Sequence, residues 1–200
     1  MSAGQSDSIE KVAGEVKGCP LCKLSRTRTN AVPGEGVPLA KIMFVGEAPG
    51  KNEDAKGRPF VGAAGKLLDS ALDKAGLKRS EVFITNVVKC RPPENRIPQD
   101  DELEACRPYL ERQISLINPR IICILGRTAF SSLLGGGSIT ASRGKIITSK
   151  GRKYFLTIHP AAAIYNRSLK SVLERDIQTL ATHAGIPSRN SPDHSLEEFA

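Results

Sequence analysis

Four short stretches of the chain are almost wholly apolar: Lys41 to Gly46, Val82 to Thr85, Arg120 to Leu125 and Tyr154 to Ile158. Each is rich in Ile, Val or Phe, and turn or cap residues bound most of them, which predicts strands. Between them the apolar positions recur with helical spacing. Leu67, Leu68, Ala71, Leu72 and Ala75 share one face, and Gly76 follows as a C-terminal cap. Leu103, Leu110, Ile114 and Ile117 mark a second helix that begins near Gln99-Asp100 and stops before Pro119. A third helix starts after Gly126, and a fourth runs from about Ser168 to Ala184. Alternating strands and helices predict an α/β fold of three layers, α/β/α, around a central four-stranded, mainly parallel sheet. Sheets of this kind take ligands at the C-terminal ends of their strands. The unusual residues of this chain fall at those ends. Gly46-Glu47-Ala48-Pro49-Gly50 follows the first strand, Asn86 ends the second, and His159-Pro160 ends the fourth.

Length and composition narrow the picture. With 200 residues, 40% of them apolar, the chain suffices for one packed domain. We place that domain at residues 1–185. Residues 186–200 are polar, contain two prolines and read as a flexible tail. No apolar run of about 18 residues is present, so no membrane partner is expected. Met1 to Ser8 lacks the basic-then-apolar pattern of an export signal, and the expected location is the cytoplasm. The net charge of +8 favours anionic partners, nucleic acid first among them, although charge alone does not decide it. Neither a G-x-G-x-x-G turn nor a P-loop occurs, so nothing points to a dinucleotide or a nucleoside triphosphate.

Five cysteines are present, Cys19, Cys22, Cys90, Cys106 and Cys123. An odd count without an export signal argues against a disulfide framework. Cys123 lies within Ile121-Ile122-Cys123-Ile124-Leu125 and reads as a small buried hydrophobe. The other four form one CxxC pair, Cys19-Pro-Leu-Cys22, and one wide pair, Cys90 and Cys106, with fifteen residues between them. Four thiolates suit zinc or a [4Fe–4S] cluster. A zinc ribbon normally shows two tight knuckles, and the single knuckle tilts the spacing toward iron–sulfur. Cys90 and Cys106 as unrelated core residues remain the alternative.

Three further motifs join the cysteines: Gly46-Glu-Ala-Pro-Gly50 continuing to Gly57-Arg-Pro-Phe-Val-Gly62, Thr85-Asn-Val-Val-Lys-Cys-Arg-Pro-Pro93, and His159-Pro-Ala-Ala-Ala163. Together they closely resemble the family 4 uracil-DNA glycosylases, the iron–sulfur uracil glycosylases of archaea and many bacteria, from about Cys19 to about Ile177. The resemblance implies that Cys19, Cys22, Cys90 and Cys106 hold a [4Fe–4S] cluster. It implies that the backbone of Gly46, Glu47 and Ala48 borders uracil, that Phe60 stacks on the flipped base, and that Asn86 reads its edge. His159 then points at O2 of the base. Ala48 stands where the best-known uracil glycosylases carry a water-orienting aspartate, which leaves Glu47 and Glu53 as the nearby carboxylates. Glu47 is the candidate for the water, and Glu53 for the pocket wall near C5 that excludes the methyl group of thymine.

The stretch from His159 to Ser168 resembles the loop that enters the minor groove in this superfamily. Ile164 or Tyr165 would wedge into the space left by the flipped nucleotide. Arg167 and Lys170, with Arg91 and Arg96 on a second loop, are candidates for phosphate contacts. The expected partner is uracil-containing DNA, single- or double-stranded, bound by a monomer in a prokaryotic nucleoid. In the tail, Leu196 and Phe199 share one side of a helical turn, in partial likeness to the peptides that bind a replication sliding clamp. The rival reading is a non-catalytic iron–sulfur or zinc DNA-binding module, which would leave Phe60, Asn86 and His159 without a task.

Overall fold

The computed structural model describes residues 7–186. The tail from 187 onward, with Leu196 and Phe199 and the clamp reading built on them, lies outside the described residues. The chain opens with helix α1 (Ile9–Gly18), then β1 (Glu35–Gly36), β2 (Ile42–Gly46), α2 (Lys51–Lys56), α3 (Ala63–Lys74) and β3 (Phe83–Asn86). It continues with α4 (Asp100–Ile117), β4 (Ile121–Leu125), α5 (Arg127–Leu134), α6 (Ile139–Ser142), β5 (Ile146–Ser149) and β6 (Arg152–Thr157), and ends in α7 (Ala162–Tyr165) and α8 (Ser168–His183).

The sheet runs β1-β3-β2-β4-β6-β5. Its four central strands are parallel and are the four apolar runs of the sequence. Two edge strands extend it to six, both antiparallel. Neither carries a strong sequence signal. β1 is two residues long, and β5 is only half-buried. β5 joins β6 through Lys150 and Gly151, both at positive φ (48° and 74°), the backbone of a tight hairpin turn.

Alternation along the strands divides the core in two. Ile42 and Phe44 of β2 face the layer of α3 and α8, where Leu68, Leu72, Ile177 and Leu180 are buried. Met43 and Val45 face the opposite layer with Leu110, Ile114 and Phe130. A strand covered on both faces is apolar throughout, which is why β2 and β4 read as unbroken runs. A third, smaller cluster seats α1 on the sequence around Cys90 through Val12, Val16 and Leu24. Helix α1 had not been expected. Ser8 caps it by accepting from the Lys11 N–H (3.2 Å), and Arg112 of α4 ties it down by pairing with Asp7 and Glu15. Among the described residues no helix is long and apolar enough to cross a membrane.

Candidate active site

The register of the parallel strands places Gly46 beside Asn86. At these strand ends opens a cavity of about 430 Å³, lined among others by Glu47, Glu53, Phe60, Asn86, His159 and Tyr165. Asn86 is 1% exposed, yet neither Oδ1 nor Nδ2 of its side chain has a hydrogen-bond partner. Buried amides are almost always satisfied, so this one is set for a ligand that both donates and accepts. The backbone behind it is fixed. The buried Lys89 Nζ donates to the Asn86 carbonyl (2.8 Å), to Thr85 Oγ1 (2.6 Å) and to Gln113 Oε1 (2.7 Å). Burial pushes the Lys89 pKa down to about 7. This support was not read from the sequence, where the only signal was a lysine three residues beyond Asn86 in an apolar segment.

Gly46 makes the close approach possible. A β-carbon there would stand 2.5 Å from Asn86 Oδ1 and 2.6 Å from Phe60 Cζ. The Phe60 ring faces His159 at a centroid distance of 5.6 Å and a tilt of 34°. Phe60 itself adopts φ 50°, a left-handed backbone that a residue with a β-carbon takes only when its surroundings impose it. Glu53 is part of that imposition. Its carboxylate accepts from the N–H groups of Gly50 (3.1 Å), Val61 (2.9 Å) and Gly62 (2.8 Å). Glu53 thus lines the cavity while its charge is spent on the loop that carries Phe60.

His159 follows β6. Its Nδ1 accepts from the Ala161 N–H (3.2 Å), which leaves Nε2 to carry the proton of the neutral ring. Burial drives its pKa down to about 4, with Glu53 opposing weakly, so the imidazole is a neutral donor at physiological pH. Gly126, just past the neighbouring strand β4, adopts φ 91°, and a β-carbon there would meet His159 Cβ at 2.8 Å. Glu47 accepts a hydrogen bond from Thr128 of α5. Backbone carbonyls of Gly46 and Glu47 accept from Val87 (2.9 Å) and Val88 (3.2 Å), joining the first motif to the second.

Of the residues expected to meet DNA, Tyr165 and Arg96 line the cavity. Tyr165 is 90% and Ile164 43% exposed on α7, and Arg167 is exposed at the start of α8. Arg96 lines the cavity but is not a free cation. Its guanidinium is bidentate to the buried Glu102 (2.8 and 2.6 Å). Arg91 donates to Asn95 (2.8 Å) within the same loop.

The cysteines converge on one region. Cys19 follows α1, Cys22 precedes the turn at Lys23–Arg26, Cys90 follows β3, and Cys106 lies in α4. Burial raises the Cys90 thiol, Arg28 lowers it by donating to Sγ (3.1 Å), and Cys22 and Cys19 raise it through space. Burial also pushes Cys106 up to about 11, where it feels Lys89, Cys90 and Cys22. Among the described residues, however, no three His, Cys, Asp or Glu side chains already stand in a metal-holding arrangement. The donor chemistry fits: four thiols in one region, two of them buried, with a guanidinium on one sulfur, suit a group that binds thiolates. Cys123 stands apart, fully buried in β4.

Residues 33–180 match the family model of the uracil DNA glycosylase superfamily. A type-4 uracil-DNA glycosylase of Sulfurisphaera tokodaii is 52% identical over a stretch covering 95% of this chain and 91% of the relative. Those of Saccharolobus solfataricus (52% identity, 86% and 84% covered) and Archaeoglobus fulgidus (43% identity, 90% and 94% covered) are similar over most of their lengths. With its pocket at the ends of β2, β3 and β6, the chain belongs to the uracil-DNA glycosylase superfamily and, within it, to the type-4 family.

Proposed function

We propose that this chain is a uracil-DNA glycosylase of base excision repair, which receives a uracil flipped out of DNA and hydrolyses its N-glycosidic bond. The observation that carries this reading is the unsatisfied Asn86 amide beside a neutral imidazole in one cavity. Uracil offers an N3–H donor and an O4 acceptor side by side, and one fixed amide answers both. Cytosine has an N–H donor at position 4 and an unprotonated acceptor at N3, so the same amide opposes it. Phe60 supplies the stacking surface.

The chemistry follows from where charge develops. As the C1′–N1 bond breaks, the sugar becomes cationic and the base anionic. The Nε2–H of His159 donates to O2 and stabilises that anion as it forms. DNA phosphates flank the sugar cation. Water adds to C1′ and loses a proton, the departing uracil anion gains one, and an abasic site remains. Ala48 has no group to orient the water, and Glu47, held by Thr128, is the carboxylate assigned to it.

Cys19, Cys22, Cys90 and Cys106 would hold a [4Fe–4S] cluster whose task is to bind four segments of chain together. The residues between Cys90 and Cys106 include Pro92, Asn95 and Arg96 of the cavity wall, so that task extends to this loop. Ile164 or Tyr165 enters the duplex beside the flipped nucleotide, and Arg167 meets phosphates, whereas Arg96 stays paired with Glu102. The protein acts as a monomer of one catalytic domain. Incubation with an oligonucleotide containing one uracil, followed by alkali, tests the reading. Scission at uracil supports it, and binding without scission would leave only a DNA-binding module.

A further inference from the structure

Phe60, which lines the cavity, is held from outside it. Arg79, in the turn Arg79–Glu81 between α3 and β3, is not part of the cavity wall. Its guanidinium nonetheless uses all five of its N–H donors. Nη1 donates to the Phe60 carbonyl (3.2 Å) and to Asp69 Oδ1 (2.7 Å). Nη2 donates to the Pro59 carbonyl (2.6 Å) and to Glu35 Oε1 (2.7 Å), and Nε donates to Glu35 Oε1 (3.0 Å). Glu35 in turn holds Arg58 (2.7 Å). The two carboxylates aim the guanidinium, and the guanidinium grips the backbone.

We infer that Arg79 is a positioning residue for uracil recognition, fixing the left-handed backbone that presents the Phe60 ring. The argument rests on the stacking role given to Phe60 above. The peptide unit between Phe60 and Val61 is gripped at both ends: its carbonyl accepts from Arg79, and its N–H donates to Glu53 Oε1 (2.9 Å). With a cation on one side and an anion on the other, the peptide plane cannot rotate without breaking both bonds. Arg79 also holds the Pro59 carbonyl of the preceding peptide unit, and with the planes on both sides of Phe60 pinned, φ stays at 50° against its intrinsic preference. Lysine is no substitute, since a point charge with three donors cannot span two carbonyls and two carboxylates at once.

The test is a double-mutant cycle on uracil excision, with Arg79→Met and Arg79→Lys each made in the wild-type and Phe60→Ala backgrounds. Thermal unfolding of every variant is followed in parallel. In the wild-type background each Arg79 variant should lower kcat/KM by roughly tenfold, mostly through KM, because ground-state stacking is what is lost. In the Phe60→Ala background the same changes should cost less than about threefold, since no ring remains to be positioned. An equal loss in both backgrounds, or no loss in either, would overturn the inference. If Phe60→Ala alone left excision unchanged, the stacking role itself would fall. Arg79→Lys keeps the charge, so it supplies the cycle if Arg79→Met does not fold.

Discussion

Gly46 and Asn86 end adjacent parallel strands, and a β-carbon on Gly46 would lie 2.5 Å from the Asn86 amide oxygen. The backbone of one motif therefore sets the space in which the side chain of the other works. The amide has no competing partner within the protein, so both its oxygen and its nitrogen are left for the base.

Asn86→Asp should therefore change what the pocket accepts. A carboxylate can take a hydrogen bond from the exocyclic amine of cytosine, where the wild-type amide presents a donor to O4. We expect slower uracil excision together with detectable release of cytosine. Single-stranded oligonucleotides carrying one uracil or one cytosine measure both. Unchanged discrimination would remove Asn86 from the recognition role.

His159 should titrate near pH 4 rather than near 6.5. A histidine whose pKa is depressed on folding takes up more protons in the unfolded chain between those values. Its contribution to stability is thus complete above about pH 6.5 and is lost as the pH falls toward 4. Imidazole chemical shifts followed across this range check the value, and denaturant unfolding at several pH values checks the sign. His159→Ala should slow excision by roughly 10²–10³-fold if the ring donates to the leaving base.

The cysteines divide four to one. Anaerobically prepared protein should be brown and carry about four irons per chain. Cys123→Ser should retain them, because Cys123 is buried in the sheet away from the other four. Cys90→Ser should lose both the colour and much of the stability. Stoichiometric zinc without iron would contradict the assignment.

At the rim, Ile164→Ala and Tyr165→Ala should reduce excision from duplex DNA more than from single strands. Only the duplex has a base stack to hold open. Equal loss on both substrates would assign these residues to packing. Both are exposed, so their unfolding midpoints should barely move.

The sequence made the centre of this molecule legible and its edges much less so. β2, β3, β4 and β6 stood out because strands buried on both faces are apolar without interruption. β1 is visible only through pairing with β3, which no local pattern reports. Helix α1 does leave a signal in Ser8 followed by Val12 and Val16 at helical spacing, but two apolar positions make a weak stripe. Asn86 and His159 stand out at strand ends, while Phe60 is singled out through the family resemblance of its motif. The task of Glu53 was not legible, since its three N–H partners are brought to it by a return of the chain. Arg96 illustrates the same limit: as a letter it is a cation for phosphate, and in the fold it is already bidentate to Glu102. The Arg79 grip depends on five bonds to four residues, and nothing around it in sequence announces that.

Gly126 has a consequence for how such a pocket tolerates change. β4 lies between the strands that carry Glu47 and His159, yet it offers the cavity no side chain at its tip. Two constraints coincide there, a φ of 91° and the 2.8 Å approach to His159 Cβ. Alanine, the smallest available replacement, violates both. A saturation library scored for uracil release should accordingly reject nearly every residue at this position, as strictly as at His159. An inventory of the site drawn only from groups able to bond with a base would pass over it, because what this position contributes is room.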